Sequence, residues 1–331
     1  MTAQRTAVVQ LPGLATALIA VGVGYLVHLV LPPVPLLTVC VVLGVIAAQV
    51  PAILPVLDGP LKPGIATAAK RCMRLGVVLL GLQLVVGDLL RLGWLTILAV
   101  IGVTAIAFAG TYVIGRIARL PGHEPLLFAA GFAICGASAV GAMAAVTRSD
   151  AREQSRPVAL VTLCGTMAIV VLPLLATAAG MSVPQFGRWT GAGVHDVGQV
   201  VATAQEWGGA ALAVAIVVKL LRVLLLAPLV AGTGLVLRMR GKAEGEVKTP
   251  IVPLFVLGFI AAVALRSLVP LPAGLLTAAA VVQTVLLGMA LFGLGAGIRF
   301  RELAGTGLRT ASAGLVAWAL IAVAALLVVH A

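Results

Sequence analysis

Two basic residues lie in the middle of an otherwise apolar segment, ALAVAIVVKLLRVLLLAPLV (211–230). Lys219 and Arg222 are three residues apart, so on a helix they share one face. Each costs about 2.5–3.5 kcal/mol at the centre of a membrane-spanning helix by insertion scales, so the pair needs compensation. One interpretation is that the pair binds an anionic substrate. The alternative is a structural role, either by snorkelling or by pairing with a carboxylate.

A second polar group occurs in WTGAGVHDVGQVVATAQEW (189–207). His195 and Asp196 are adjacent, and Gln199 follows one helical turn later on the same side. A His beside an Asp inside a membrane is a candidate proton acceptor, and we assign coupling or gating to these three residues. A compatible alternative is that Asp196 neutralises Lys219 or Arg222 while His195 bonds a carbonyl. Whether the short segment 191–206 crosses a membrane completely is left open.

A third candidate is the segment GFAICGASAVGAM (131–143), which is rich in Gly and Ala and carries one hydroxyl, Ser138. Clustered glycines favour a broken helix, and unwound backbone at membrane depth must line a cavity or be buried in protein. The N-terminus of a half-helix attracts anions through its free N–H groups. We therefore predict that Gly136, Ala137 and Ser138 contribute to a substrate site.

The pattern G-x-A-x-x-G-x-[SG]-A occurs at 131–139 and again at 288–296. The two copies are separated by an odd number of apolar segments, as in an inverted repeat. By this pattern Gly293 and Gly295 form a second break that also binds substrate. Gly accounts for 38 of 331 residues, however, and small residues also serve ordinary close helix packing.

The composition indicates an all-α polytopic membrane protein, because 62% of the 331 residues are hydrophobic and only 10% are charged. The net charge of +12 does not indicate nucleic acid, since aromatic residues make up 4% and no basic stripe contains them. No cofactor or metal site is expected: the four cysteines have no CxxC spacing, and His123-Glu124-Pro125 is not HExxH. We predict about eleven transmembrane helices, near 14–31, 36–53, 72–90, 94–117, 125–147, 158–180, 191–206, 209–237, 250–268, 274–298 and 308–329.

Lys and Arg favour the cytoplasmic side of an inner membrane. With eleven spans most of them fall on the side of the N-terminus, which is therefore predicted to be cytoplasmic, with the C-terminus outside: Arg5, Lys62, Lys70, Arg71, Arg74, Arg116, Arg119, Arg188, Arg238, Arg240, Lys242, Lys248, Arg299, Arg301 and Arg309. The polar linker 238–250 is cytoplasmic by this prediction. The loop TRSDAREQSRP (147–157) is basic on the opposite side and does not fit.

Several stretches together resemble the YeiH-type sulfate exporter family of bacterial inner-membrane proteins. They are RLGVVLLGLQL (74–84), AAGFAICGASAVGA (129–142), GAGVHDVGQVVATA (191–204), KLLRVLLLAPLV (219–230), PLFVLGFIA (253–261) and LLGMALFGLGAGI (286–298). The resemblance implies a secondary transporter of the bile-acid-symporter-like fold. It implies one integral domain, 1–331, with an extra first span (14–31), inverted five-helix repeats at 36–180 and 191–329, and two crossing broken helices in spans five and ten.

The function expected from these features is transport of a small anion by alternating access. Sulfate or a related sulfur oxyanion or organosulfonate would be the substrate, with proton coupling preferred to sodium because few carboxylates lie in the spans. Two alternatives remain: an intramembrane serine hydrolase using Ser138 and His195, and an anion channel. The expectation is a protein that is not an enzyme, and a homodimer is left open.

Overall fold

The computed structural model describes residues 3–31, 34–87, 93–239, 254–298 and 308–330, and in this part of the chain all regular structure is helical. The helices of the first third are α1 (Ala3–Val30), α2 (Leu36–Gln49), α3 (Leu54–Asp58), α4 (Lys62–Thr67) and α5 (Met73–Leu80). Next come α6 (Gly93–Ile117), α7 (Glu124–Ala133), α8 (Ala137–Thr147), α9 (Ala151–Ala178), α10 (Val183–Gly193), α11 (Val197–Gln205), α12 (Gly208–Leu224) and α13 (Leu226–Met239). The last are α14 (Leu254–Leu268), α15 (Ala273–Ala296), α16 (Leu308–Ala324) and α17 (Leu326–Val329).

Among the described residues, six stretches are long and apolar enough to cross a membrane: Val9–Val30, Gly93–Ile117, Glu153–Ala178, Gly208–Leu237, Ala273–Ala296 and Arg309–Val329. Four shorter apolar helices, α2, α7, α8 and α14, have 10–17 residues. The polytopic helical class predicted from composition is therefore confirmed, whereas the part of the chain that the structure describes does not form eleven full-length spans.

The chain forms two compact units, each built from separate segments. Unit 1 contains Met1–Arg91 and Leu254–Arg301, and unit 2 contains Leu92–Pro253 and Glu302–Ala331. Unit 2 thus draws on both predicted repeats, 36–180 and 191–329, while the predicted extra first span belongs to unit 1 as part of α1. Apart from Arg238 and Met239 at the end of α13, the linker 238–250 lies outside the described residues, as do Arg91, Arg299 and Arg301.

In unit 1, α15 packs closely on α2 through facing glycines. A Cβ placed on Gly44 would meet the backbone of Phe292 and Ala296, and one on Gly295 would meet the carbonyl of Val41. Gly293 faces the backbone of Ile65 in the same way, since a Cβ placed on it would lie 2.9 Å from the carbonyl oxygen of Ile65. The predicted break of span ten is wrong, because α15 continues unbroken from Ala273 to Ala296. Its small residues allow close helix packing instead.

Unit 2 contains a helical hairpin, made of α7 and α8 joined by residues 134–136, which we call the first hairpin. Its legs pack together, since a Cβ on Gly131 would lie 2.8 Å from Val140. Both ends of this hairpin lie at the start of α9. Its first residue, Glu124, accepts hydrogen bonds from Arg156 in α9 at 2.9 and 3.0 Å. Only three residues lie between the end of α8 and the beginning of α9. The predicted fifth span therefore does not cross. It enters and returns on the same side.

The second hairpin consists of α10 and α11, joined by residues 194–196. The rings of Phe186 in α10 and Trp207, just after α11, are 4.5 Å apart, so its two ends also lie together. Helix α10 runs parallel to α12, because a Cβ on Gly187 would meet Ala211 and one on Gly191 would meet Ala215. This hairpin thus starts and ends where α9 ends and α12 begins, opposite to the first hairpin. The seventh predicted span does not cross either.

This arrangement gives unit 2 a basic end and an opposite end. The basic end is where α6 ends, the first hairpin starts and finishes, and α9 and α16 begin; it carries Arg116, Arg119, Arg148, Arg156 and Arg309. The loop 147–157 lies on the same side as Arg116 and Arg119. The sequence prediction placed this loop on the side opposite to most Lys and Arg. Because segment 124–147 is re-entrant, the loop instead lies on the basic side, as the distribution of Lys and Arg requires.

Candidate functional site

The tips of the two hairpins meet inside unit 2. The Nδ1 of His195 donates to the carbonyl of Phe132 at 3.0 Å, and the rings of these residues lie 4.5 Å apart. A Cβ placed on Gly136 would be 3.6 Å from the Cβ of Asp196. Four helix ends therefore converge: the C-termini of α7 and α10 and the N-termini of α8 and α11. Such irregular backbone is tolerated at membrane depth when it is buried in protein or lines a cavity.

Arg222 on α12 bonds the C-terminal ends of both entering helices. Its Nε donates to the carbonyl of Ala133 at 3.1 Å, and its Nη2 donates to Phe132 at 3.1 Å and to Ala133. Its Nη1 donates to Ala192 and, at 3.3 Å, to Val194. The side chain is fully buried. All five guanidinium N–H groups are therefore directed at four main-chain carbonyls that have no partner within their helices.

Lys219 is also fully buried and makes the same kind of link. Its Nζ donates to the carbonyl of Ile134 in the first tip and to that of Val194 in the second, the latter at 2.9 Å. The partial negative charge at helix C-termini favours cations there. Lys219 and Arg222 share one face of α12 as predicted. Their hydrogen bonds go to backbone carbonyls of the two tips, rather than to a carboxylate or an open site.

The N-terminus of α11 is capped by its own residues. Asp196 is the N-cap, and its Oδ1 accepts from the backbone N–H of Gly198 at 2.9 Å. The side chain of Gln199 accepts from the backbone N–H of Asp196 at 3.2 Å and donates to the carbonyl of Thr162 in α9 at 3.1 Å. A Cβ on Gly165 would collide with this amide, so a larger residue there would displace the Gln199 side chain. Gln199 thus fastens the second tip to α9.

His195 is fully buried, and one of its ring nitrogens has a clear partner. Because a carbonyl only accepts, the bond to Phe132 requires the proton on Nδ1. Its Nε2 has no hydrogen-bond partner among the described residues. The imidazole is consequently not paired with Ser138, and the nucleophile–base contact of a serine hydrolase is not formed. The predicted coupling role of His195 stays a prediction.

The N-terminus of α8 differs from that of α11, because no side chain caps it. Its N-cap, Gly136, has φ 66° and ψ −133°, a conformation that glycine adopts without a Cβ penalty. The next two residues, Ala137 and Ser138, are exposed. The N–H groups of a first helical turn have no acceptor within the helix. Their two N–H groups and the Ser138 hydroxyl are therefore the donors at this tip that can reach a ligand.

The charges around the tips are unbalanced. Lys219 and Arg222 supply two cations, and Asp196 is the nearby carboxyl. Together with the uncapped N-terminus of α8, they favour a negatively charged ligand over a positively charged one.

Most predicted site residues lie at these tips: Gly136, Ala137, Ser138, His195, Asp196, Gln199, Lys219 and Arg222. Gly293 and Gly295 instead belong to unit 1, inside α15, where helical hydrogen bonding occupies the donors that the prediction required of them. The sequence reasoning missed the re-entrant hairpins and the carbonyl partners of the cations. A signal was present, since the basic loop 147–157 lies on the same side as Arg116 and Arg119 only if 124–147 does not cross.

Comparison with known proteins agrees with the resemblance found in the motifs. The pattern of the family described as conserved hypothetical protein 698 matches residues 12–314. A UPF0324 membrane protein of Corynebacterium glutamicum is 41% identical over 311 residues, covering 93% of this chain and 89% of that protein. One from Staphylococcus epidermidis is 32% identical over 244 residues, covering 73% of both chains. One from Brucella suis is 32% identical over 247 residues, covering 74% of this chain and 73% of that protein.

No solved structure matches the chain. The family match spans most of the chain, and the relatives are membrane proteins, as the composition and the helices of this chain require. The chain belongs to the conserved hypothetical protein 698 family, the YeiH-type family whose relatives are the UPF0324 membrane proteins.

Proposed function

We propose that this membrane protein is a secondary transporter of a small anion, which binds at the tip of the first hairpin. The observation that carries the proposal is the uncapped, exposed N-terminus of α8 beside two buried cations. Sulfate or a related sulfur oxyanion or organosulfonate is the substrate class that the family resemblance suggests. The N–H groups of Ala137 and Ser138 and the Ser138 hydroxyl would donate to its oxygen atoms.

Lys219 and Arg222 act indirectly in this proposal, which revises their predicted role as direct ligands. Their N–H donors are engaged with the carbonyls of both tips, so they would supply positive potential and hold the tips together. Direct contact with a substrate would require those bonds to break.

Asp196 makes proton coupling the favoured mode of energy supply. A Cβ on Gly136 would lie 3.8 Å from its Oδ2, so an ionised carboxylate would face the anion across the tip. Two like charges at such a distance repel strongly at low dielectric. Protonation of Asp196 would remove the repulsion, and one proton would then accompany each anion. His195 and Gln199 would serve as gating residues, through their bonds to Phe132 and Thr162.

The orientation follows from the basic end of unit 2, which we assign to the cytoplasm because Lys and Arg concentrate there. Helix α16 starts at this end, where Arg309 donates to the carbonyl of Ile117 at 3.3 Å. The C-terminus, after α17, would then be outside. We place the chain in the bacterial inner membrane, with its N-terminus in the cytoplasm as the sequence predicts.

Counterflow of radiolabelled sulfate in proteoliposomes tests the proposal. Vesicles preloaded with unlabelled sulfate should accumulate label transiently and saturably, with competition by sulfite or taurine if the site accepts those groups. Accumulation without saturation or exchange would indicate an anion channel instead. Absence of flux for sulfate, sulfite and organosulfonates would exclude this substrate class.

A further inference from the structure

A cavity of about 830 Å³ lies in unit 2 between α6, the start of α7, and α13. Its walls are mostly apolar and include Phe108, Leu120, Leu126, Leu229 and Val236. The volume is within the range of sites that bind small organic molecules, about 300–1,000 Å³. No residue of the hairpin tips lines it. It is therefore separate from the anion site proposed above.

The cavity has a local structural cause in the break between α12 and α13. The long apolar stretch 208–237 is interrupted at Leu225, and Pro228 follows in the first turn of α13. Proline in such a stretch disturbs the helix and changes its direction. Gly232 faces the resulting space, since a Cβ added there would meet nothing within 4 Å.

The polar groups of the cavity are gathered at its end near the basic end of unit 2. Arg116 lies in the last turn of α6, its Nη1 donates to the Tyr112 hydroxyl at 3.3 Å, and His123 follows in the next loop. Arg116 and Phe108 are eight residues apart, which is about 12 Å along a helix. The cavity thus combines a cationic mouth with an apolar wall about two turns deep.

We propose that this cavity binds an anionic phospholipid. The phosphate would contact Arg116 rather than His123, because the carboxylate of Glu153 lies 4.0 Å from the Nδ1 of His123. One acyl chain would lie along the apolar wall of α6 and α13. A small soluble anion would leave the apolar wall without a partner, and an uncharged hydrocarbon would bring no negative charge to Arg116. The assigned cytoplasmic side fits this occupant, because anionic lipids enrich that leaflet and attract basic residues at its surface.

Native mass spectrometry of the delipidated, detergent-solubilised protein tests the proposal. The protein would be titrated with phosphatidylglycerol, with phosphatidylethanolamine of the same acyl chains, and with glycerol 3-phosphate alone. Gly232→Phe fills the cavity, and Gly102→Phe is its matched control on α6, where a Cβ also meets open space. Arg116→Gln removes the cationic mouth, and Arg119→Gln removes a neighbouring charge that does not line the cavity.

The wild type should bind phosphatidylglycerol about fivefold more tightly than phosphatidylethanolamine, because the ammonium group of the latter neutralises its phosphate. The factor corresponds to about 1 kcal/mol for one basic residue beside an anionic lipid. Arg116→Gln should equalise the two lipids, Gly232→Phe should weaken both, and both control variants should behave like the wild type. Unchanged binding in Gly232→Phe, or no preference in the wild type, would overturn the proposal. Displacement of the lipid by glycerol 3-phosphate at equal concentration would show a soluble phosphate site instead. Should Gly232→Phe fail to fold, Arg116→Gln decides the outcome, because that side chain is exposed.

Discussion

Replacing the two buried cations by methionine should destabilise the protein in a fixed order. Arg222 donates to four main-chain carbonyls, and Lys219 donates to two. Leaving a buried acceptor unsatisfied costs at least about 1 kcal/mol. Val194 accepts from both cations, and Phe132 also accepts from His195, so these two carbonyls keep a donor in either variant. Arg222→Met therefore leaves two carbonyls without a donor, those of Ala133 and Ala192, and should cost about 2 kcal/mol. Lys219→Met leaves one, that of Ile134, and should cost about 1 kcal/mol.

The assay is the temperature at which half of the detergent-solubilised protein leaves the monodisperse peak in size-exclusion chromatography. At about 2 °C per kcal/mol for a chain of this size, Lys219→Met should lower it by about 2 °C and Arg222→Met by about 4 °C. Arg119→Met, at an exposed position, is the matched control and should leave it unchanged. If both buried variants were as stable as the wild type but no longer bound substrate, the cations would be substrate ligands and our assignment would be wrong.

Two further predictions concern the first hairpin. Arg156→Gln leaves the buried carboxylate of Glu124 without its half-exposed cation and should cost about 1.5–3 kcal/mol, the contribution of hydrogen bonds to a charged group. Adding Glu124→Gln should restore most of the thermal stability, and no restoration would mean that the pair does not hold the hairpin. Ser149→Cys should react with an impermeant maleimide from the same side of the membrane as Arg119→Cys, and Ser182→Cys from the other side, with little background because the four native cysteines are buried. Labelling of Ser149→Cys and Arg119→Cys from opposite sides would show that 124–147 crosses the membrane.

The membrane class and most site residues could be predicted from the sequence, because each rests on a local property. The length of an apolar segment indicates a membrane helix. Charged residues within such a segment, such as Lys219 and Arg222, need compensating partners and therefore indicate a candidate site. The Gly-rich stretch at 131–143 indicated a helix break, and the break is observed at Gly136.

The path of the chain could not be predicted in the same way, because it depends on contacts between distant segments. Apolar length does not tell a crossing helix from two half-helices that return, and the ion pair of Glu124 with Arg156 is visible only in three dimensions. Gly293 and Gly295 resemble the broken stretch in composition, yet they face the closely packed backbones of α4 and α2. The same residue type thus serves a helix break in one segment and close packing in another.

The most direct test of the proposed anion site is counterflow of radiolabelled sulfate in proteoliposomes with three variants of α8. Ala137→Pro removes one N–H donor at the first helical position, where proline is tolerated, and Ser138→Ala removes the hydroxyl. Gly141→Ala, one turn further along α8 in open space, is the control. A hydrogen bond to a charged group contributes at least about 1.5 kcal/mol. We therefore expect the sulfate concentration at half-saturation to rise about tenfold in each of the first two variants and to stay unchanged in the control. Unchanged half-saturation in Ala137→Pro and Ser138→Ala would contradict an anion site at the tip of the first hairpin.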